Sequence, residues 1–372
     1  MPRVHPNIET FARIKVIGIG NSGTNSINHM VRSKVRGVEF IAVDTDAQKL
    51  HYSLAPKKIH IGKNITRGLG GGMNPEIGKQ AAEETKEEIQ EAIKGADMIF
   101  VAGGFGGGTA TGAAPIVAKL AKEQGILTIA VVTRPFSFEG NYRSKIAEGG
   151  LVNLRDTVDA MIVVSNDRLL DLVDKETTFF SAFKMCDEIL RQAVEGISDL
   201  IITPGIINVD FADIKSIMQD AGSALMGIGR AQGEKRAEEA ARKAINSPLL
   251  DISIDGAKGV MFVVAGDDNM TMSEIQEAAS VITSSIDSDA KVIFGAIKDN
   301  NLRKNEIKIT VIASGFQSEK NPKKLPLFQS VENLKELKEE EEKRRTETLK
   351  KREENEEENE WDSVPAFLRR KK

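Results

Sequence analysis

Fifteen residues, VAGGFGGGTATGAAP from Val101 to Pro115, constrain this chain more than any other stretch. The apolar run DMIFVAG before them reads as a buried strand, and AAPIVAKLAKEQG after them as an amphipathic helix ending at Gly125. Between the two stand Gly103, Gly104, Gly106, Gly107, Gly108 and Gly112, with Thr109 and Thr111 among them. A tight turn is served by one or two glycines. Six of them before a helix let backbone N–H groups face an anion without Cβ obstruction. The two threonine hydroxyls add donors for phosphate oxygens. The stretch predicts a strand, a phosphate loop and a helix in that order.

Composition removes several alternatives. At 372 residues, 40% hydrophobic and 28% charged, the chain has room for two domains with real cores. A net charge of −4 gives no basic field for nucleic acid. The single cysteine, Cys186, excludes an internal disulfide and fits a reducing compartment. The opening MPRVHPNIET has no apolar h-region, and no apolar run approaches the roughly 20 residues of a membrane span. A cytoplasmic protein with no membrane span of its own is expected. His5, His29, His51 and His60 are scattered without metal-ligand spacing and read as surface.

Upstream, RIKVIGI is a strand that runs through GIGNSGTNSINHMVRS into a helix, and VEFIAVDTD is a second strand ending at Asp44 and Asp46. Gly18, Gly20 and Gly23 form G-x-G-x-x-G in this βαβ unit. Alone, with Asp44 to hold a ribose, it also satisfies the dinucleotide fingerprint of an NAD-dependent oxidoreductase. After the short strand KKIHIG comes ITRGLGGGMNPEIGKQ, a second glycine-rich loop entering a helix from Pro75 to about Lys94. A dehydrogenase has no need of it; a nucleotide with a third phosphate does. ILTIAVVTRPFSFEG is a strand and loop followed by Arg143, so Glu139 and Arg143 either face a ligand crevice or form a surface ion pair.

DAMIVVSNDRLLDLV is a further strand turning into a helix at Asn166 and Asp167. ETTFFSAFKMCDEILRQAVEGISDLI is a long amphipathic helix on which Phe183 and Asp187, four apart, share a face. Either the ring stacks on a base whose N–H edge the carboxylate accepts, or Phe183 packs in the core and Asp187 is solvated. Asn208, Asp210 and Asp213 sit on a turn entering another helix, as caps or as catalytic acids. Helices and strands then alternate to residue 316. From Gln317 lysine and glutamate dominate, which reads as a solvated linker. The chain ends WDSVPAFLRRKK, apolar anchors beside basic residues that read as a docking peptide.

Taken together these stretches resemble the FtsZ family, the bacterial tubulin-like cell-division GTPases. Gly106 to Gly112 is similar to the signature GGGTGTG, with Ala110 at one glycine; TRGLGGGMNPEIG, RPFSFEG with Arg143, NDRLL, NVDFADI and PAFLRR resemble further family motifs in the same order. The resemblance implies an α/β, tubulin-like fold. A Rossmann-type, parallel-sheet GTP-binding domain would span 13–178, after a loose arm at 1–12. A long central helix follows at 179–203. A smaller α/β domain with the acidic loop spans 204–316, a charged disordered linker 317–360 and a docking tail 361–372.

It further implies that Gly20, Asn21, Gly71, Gly72 and Gly106, Gly107 and Gly108 cradle GTP phosphates, and that Glu139 and Arg143 meet ribose and phosphates. Asn166, Phe183 and Asp187 would hold guanine, with Asn25, Asp44, Gly104, Thr109, Thr111, Gly112 and Pro135 completing the site. Without a P-loop lysine, Mg²⁺ and backbone dipoles would carry more of the phosphate charge. Head-to-tail stacking would bring Asp210 and Asp213 onto the next copy's GTP, with Asn208 shaping the loop, so GTP hydrolysis to GDP would depend on assembly. Filaments at a mid-cell division site, tethered through Trp361–Lys372 to a membrane-bound adaptor, are the implied role. The sequence departs from the family at GNSGTN, at Ala110, at Asp44 where asparagine is usual, and at Ser165 where proline is usual. A GTP-bound structural polymer with little hydrolysis is the alternative within the family.

Overall fold

The computed structural model describes residues 12–170, 178–202, 207, 209–247, 254, 256–299 and 302–316. These lie in one compact unit ending at Phe316. In chain order come β1 (Ile14–Ile19), α1 (Gly20–Arg32), β2 (Val38–Asp44), α2 (Ala47–His51), β3 (Lys57–His60), α3 (Lys63–Thr66), α4 (Pro75–Glu84), α5 (Lys86–Ile93), β4 (Met98–Gly104), α6 (Gly108–Glu123) and β5 (Leu127–Arg134). After a 3-10 turn at Ser137–Glu139 follow α7 (Asn141–Arg155), β6 (Ala160–Ser165), α8 (Asn166–Leu170) and α9 (Phe179–Ile202). The remainder is α10 (Phe211–Met218), β7 (Gly222–Gln232), α11 (Arg236–Ile245), β8 (Gly259–Gly266), α12 (Met272–Thr283), β9 (Lys291–Lys298) and β10 (Glu306–Ser314).

The strands form one ten-stranded sheet in the order β3-β2-β1-β4-β5-β6-β7-β10-β8-β9. From β3 to β7 every neighbour is parallel. Strand β10 then runs antiparallel to both β7 and β8. Every residue of β1 is buried, as a parallel strand covered on both faces must be. One face packs on α1 and α9 through Ile27, Met30, Leu190, Val194 and Ile197. The other packs on α4 to α7 through Ala81, Ile89, Val117 and Leu151. A third cluster holds α11 and α12 to β8 and β10.

Three departures from the sequence reading have local causes. The helix expected from Pro75 to about Lys94 breaks at Thr85, whose hydroxyl donates to the Ala81 carbonyl at 3.2 Å and accepts from Gly62 N–H at 3.3 Å. Residues 141–155, unassigned from sequence, are helix α7. Strand β7 was hidden by its glycines. A Cβ on Gly227 or Gly229 would stand 2.0 or 1.9 Å from the carbonyls of Ala244 and Ala240, so those glycines let α11 lie on the strand.

Candidate functional site

Parallel strands β1, β2, β4, β5 and β6 end on the same edge of the sheet, where open α/β sheets place ligands. A cavity of ≈ 340 Å³ opens there. That volume falls within the roughly 300–1,000 Å³ of small-ligand sites.

Two helices aim their N-termini at it. Gly20 opens α1 with φ +71, a left-handed conformation that turns the chain from strand to helix. Neither the Ile19 N-cap of α1 nor the Gly107 N-cap of α6 gives a side-chain cap, so first-turn N–H groups remain for a ligand. Gly20, Asn21 and Asn25 line the cavity from α1, and Gly104, Gly107, Gly108 and Thr109 from the central loop. Gly72 lines it from the second loop, where its carbonyl accepts from Gly108 N–H at 2.8 Å. Thr109 and Thr45 share a hydroxyl–hydroxyl bond of 2.7 Å.

Four expected residues are absent from the wall. Gly71 packs behind it against Thr109. Gly106 N–H donates to the buried Thr111 hydroxyl at 3.0 Å, which shapes the loop. Gly112 faces α4, where a Cβ would lie 1.9 Å from the Pro75 carbonyl.

At the far end of the cavity stand Pro135, Asn166, Phe183 and Asp187. Phe183 meets Phe136 edge-on at 5.1 Å, and Phe136 stacks on Phe138 at 4.9 Å, so the ring is fixed by its neighbours. Asp187 is not solvated: Ser26 of α1 donates to it at 2.7 Å. Burial pushes its carboxyl up, opposed by that hydrogen bond and by His29. His29 is only 18% exposed and bonds Glu188 at 2.8 Å, and His60 lies 3.3 Å from the Thr45 carbonyl. Neither is the surface residue expected. The Asn166 Oδ1 is buried with no partner. Glu139 and Arg143 pair with each other and also line the cavity.

Asp44 is 2% exposed on the wall. Its Oδ1 accepts from Asp46 N–H at 3.2 Å and its Oδ2 has no partner. Burial pushes its carboxyl up to about 6, against hydrogen bonds from the Asp46 and Thr45 backbone. Among the lining residues Arg143 is the only cation, against the four carboxylates of Asp44, Asp46, Glu139 and Asp187.

Sequence reasoning missed Ser22, Asp46, Gly70, Phe105, Ala110, Thr133 and Cys186 as wall residues. The Cys186 thiol is pushed up to about 12, chiefly by burial, and is no nucleophile. Asp210 and Asp213 do not line the cavity; both are exposed at the start of α10. Asp210 is the N-cap there, yet its side chain makes no capping hydrogen bond. Asn208 lies outside the described residues. Among the described residues no group of three His, Cys, Asp or Glu is placed to hold a metal ion, and no helix is long and apolar enough to cross a membrane.

Comparison with known proteins follows the same geometry. Residues 13–174 match the Tubulin/FtsZ family, GTPase domain, and residues 222–317 the FtsZ family, C-terminal domain. An empty FtsZ dimer from M. jannaschii is 45% identical, with a TM-score of 0.79 over 83% of this chain and 90% of its own. A GTPγS-bound protofilament of CetZ2 from Haloferax volcanii shares the fold at 22% identity, with a TM-score of 0.70 over 82% of this chain and 94% of its own. GDP-bound CetZ1 from the same organism is 23% identical, with a TM-score of 0.71 over 82% and 95%.

Proposed function

The chain belongs to the tubulin/FtsZ family of GTPases, and on that premise we propose that it binds GTP in this cavity and stacks head to tail into filaments whose contacts switch on hydrolysis. The observation that carries the reading is Asp210. It stands at a helix N-terminus, exposed, with its side chain uncommitted to the helix and away from its own chain's cavity. An acid so placed serves a neighbour's site better than its own fold.

The cavity suits a guanine nucleotide. The uncapped starts of α1 and α6, with Gly72, offer N–H donors to phosphates where no lysine is present. The unpartnered Asn166 Oδ1 and the Asp187 carboxylate offer acceptors to guanine N1–H and N2–H, an edge that adenine lacks. Phe183 offers a face for the ring, and Glu139 with Arg143 closes the ribose side. Mg²⁺ would arrive with the phosphates, since the described residues provide no metal cluster of their own, and it would neutralise phosphate charge.

The relatives support assembly: the FtsZ of M. jannaschii was solved as a dimer and CetZ2 as a protofilament. A heterologous contact that does not close on itself yields a filament. Asp210 and Asp213, with Asn208 shaping their loop, would then orient water at the neighbour's terminal phosphate, where positioning and electrostatics do most of the work. The setting is the cytoplasm at a division site, and Trp361–Lys372, outside the described residues, would dock on a membrane-tethered adaptor. Sedimentation tests the reading: the full chain pellets with GTP and stays soluble with GDP. Equal pelleting in both, or in neither, overturns it.

A further inference from the structure

Asp44 is the feature that nucleotide binding alone leaves unexplained. It is a carboxylic acid on the wall of a cavity read as a phosphate site, almost wholly removed from water, with one oxygen unpartnered. A buried polar atom with no partner is costly, and such atoms are rare in folded proteins. Arg143, the one cation among the lining residues, is already paired with Glu139. The titratable groups beside it are Asp46 on the same loop and His60, its register partner on β3. Asp46 repels a charge on Asp44, and His60 only partly offsets this.

A phosphate oxygen brought to this wall adds negative charge within the same enclosed space. Two anions there repel, whereas a carboxyl O–H and a phosphate oxygen form a short, charge-assisted hydrogen bond. We propose that Asp44 becomes a neutral carboxylic acid when nucleotide binds and donates its proton to a phosphate oxygen, so that binding by this chain takes up a proton from solvent. This rests on the reading that phosphates lie at the Gly72–Thr109 end of the cavity. Burial already raises the side chain to about 6, so a modest added negative field completes the protonation.

Proton linkage fixes the sign: a complex that binds more protons than its parts weakens as pH rises. The test is calorimetric titration of the full chain with GDP at pH near 7.5, with EDTA, in buffers of different ionisation enthalpy. Wild type should take up more than about half a proton per nucleotide beyond the Asp44→Asn variant. Asparagine carries a permanent N–H donor in the same shape, and the comparison cancels protons taken up by GDP and by the rest of the chain. Between pH 7 and 8 the wild-type Kd should rise severalfold while that of Asp44→Asn stays flat. If Asp44→Asn does not fold, Asp44→Ser, which also lacks the carboxyl, takes its place in the comparison.

Equal proton inventories with intact GDP binding would overturn the inference and leave the functional reading standing. So would proton release, or tightening by Mg²⁺ that is larger for wild type than for Asp44→Asn, because an ionised Asp44 would then be holding a cation. No GDP binding by wild type would overturn the functional reading and this inference together.

Discussion

The Ser26 hydroxyl donates to the Asp187 carboxylate at 2.7 Å across 161 residues of sequence, fixing α1 to the central helix at the base end of the cavity. Ser26 is fully buried, so the donor end of the pair is shielded from competing water. Replacing Asp187 with alanine should reduce the preference for GTP over ATP by roughly ten- to a hundredfold, the worth of hydrogen bonds to a charged acceptor. Ser26→Ala should reduce it by about fivefold. Competition binding of the two nucleotides measures both. An undiminished preference in Asp187→Ala would leave that carboxylate a structural role only.

Behind this pair, Glu188 binds Arg191 through both oxygens, and His29 and Gln192 at 2.8 Å. Burial pushes its carboxyl up, but those hydrogen bonds outweigh burial and hold it at about 2, below its ordinary 4.5. A depressed acid stabilises the fold above its ordinary value and loses that contribution as pH falls towards the depressed one. Glu188→Gln should therefore lower Tm at neutral pH, and its Tm should fall less than that of wild type between pH about 5 and about 3. Parallel acid limbs would show that the pair contributes nothing measurable.

Two glycines of the central loop should separate folding from binding. A side chain at Gly112 collides with the Pro75 backbone of α4, which cannot move aside cheaply. Gly112→Val should cost more than about 3 kcal/mol of stability, outweighing any gain in helix propensity. A Cβ at Gly107 meets nothing within 4 Å, yet the residue lines the cavity. Gly107→Ala should keep the wild-type Tm and bind GTP more weakly. Thermal melts with and without nucleotide distinguish the two outcomes.

Much of this was legible before any coordinates. The strand–loop–helix around Gly106, the G-x-G-x-x-G turn at Gly20 and the amphipathic α9 are local patterns, and local patterns survive in a linear sequence. So do Phe183 and Asp187, because one helix turn sets their shared face. The illegible parts are long-range. Ser26 supports Asp187 only because α1 packs on α9. Gly112 and Gly71 read as phosphate glycines, but a Cβ on Gly112 would meet Pro75 of α4 and one on Gly71 would meet Thr109 of α6. The fate of Asp44 depends on burial, which no spacing encodes. Strand β7 was lost because glycines chosen for contact with α11 erased its β-propensity.

Deleting Trp361–Lys372 should leave GTP-dependent sedimentation unchanged and abolish recovery of an adaptor bound to the intact chain. A truncated chain that no longer pellets with GTP would place the tail in assembly itself.

Hydrolysis per subunit, followed as the concentration of the chain is raised, tests most directly whether one copy completes the site of the next. Below a threshold concentration the rate per subunit should be near zero, and above it the rate should climb. Asp210→Ala should bind GTP normally and stay at least about a hundredfold slower at every concentration. A rate per subunit that is the same in the most dilute sample as in the most concentrated one would show that each chain hydrolyses GTP alone.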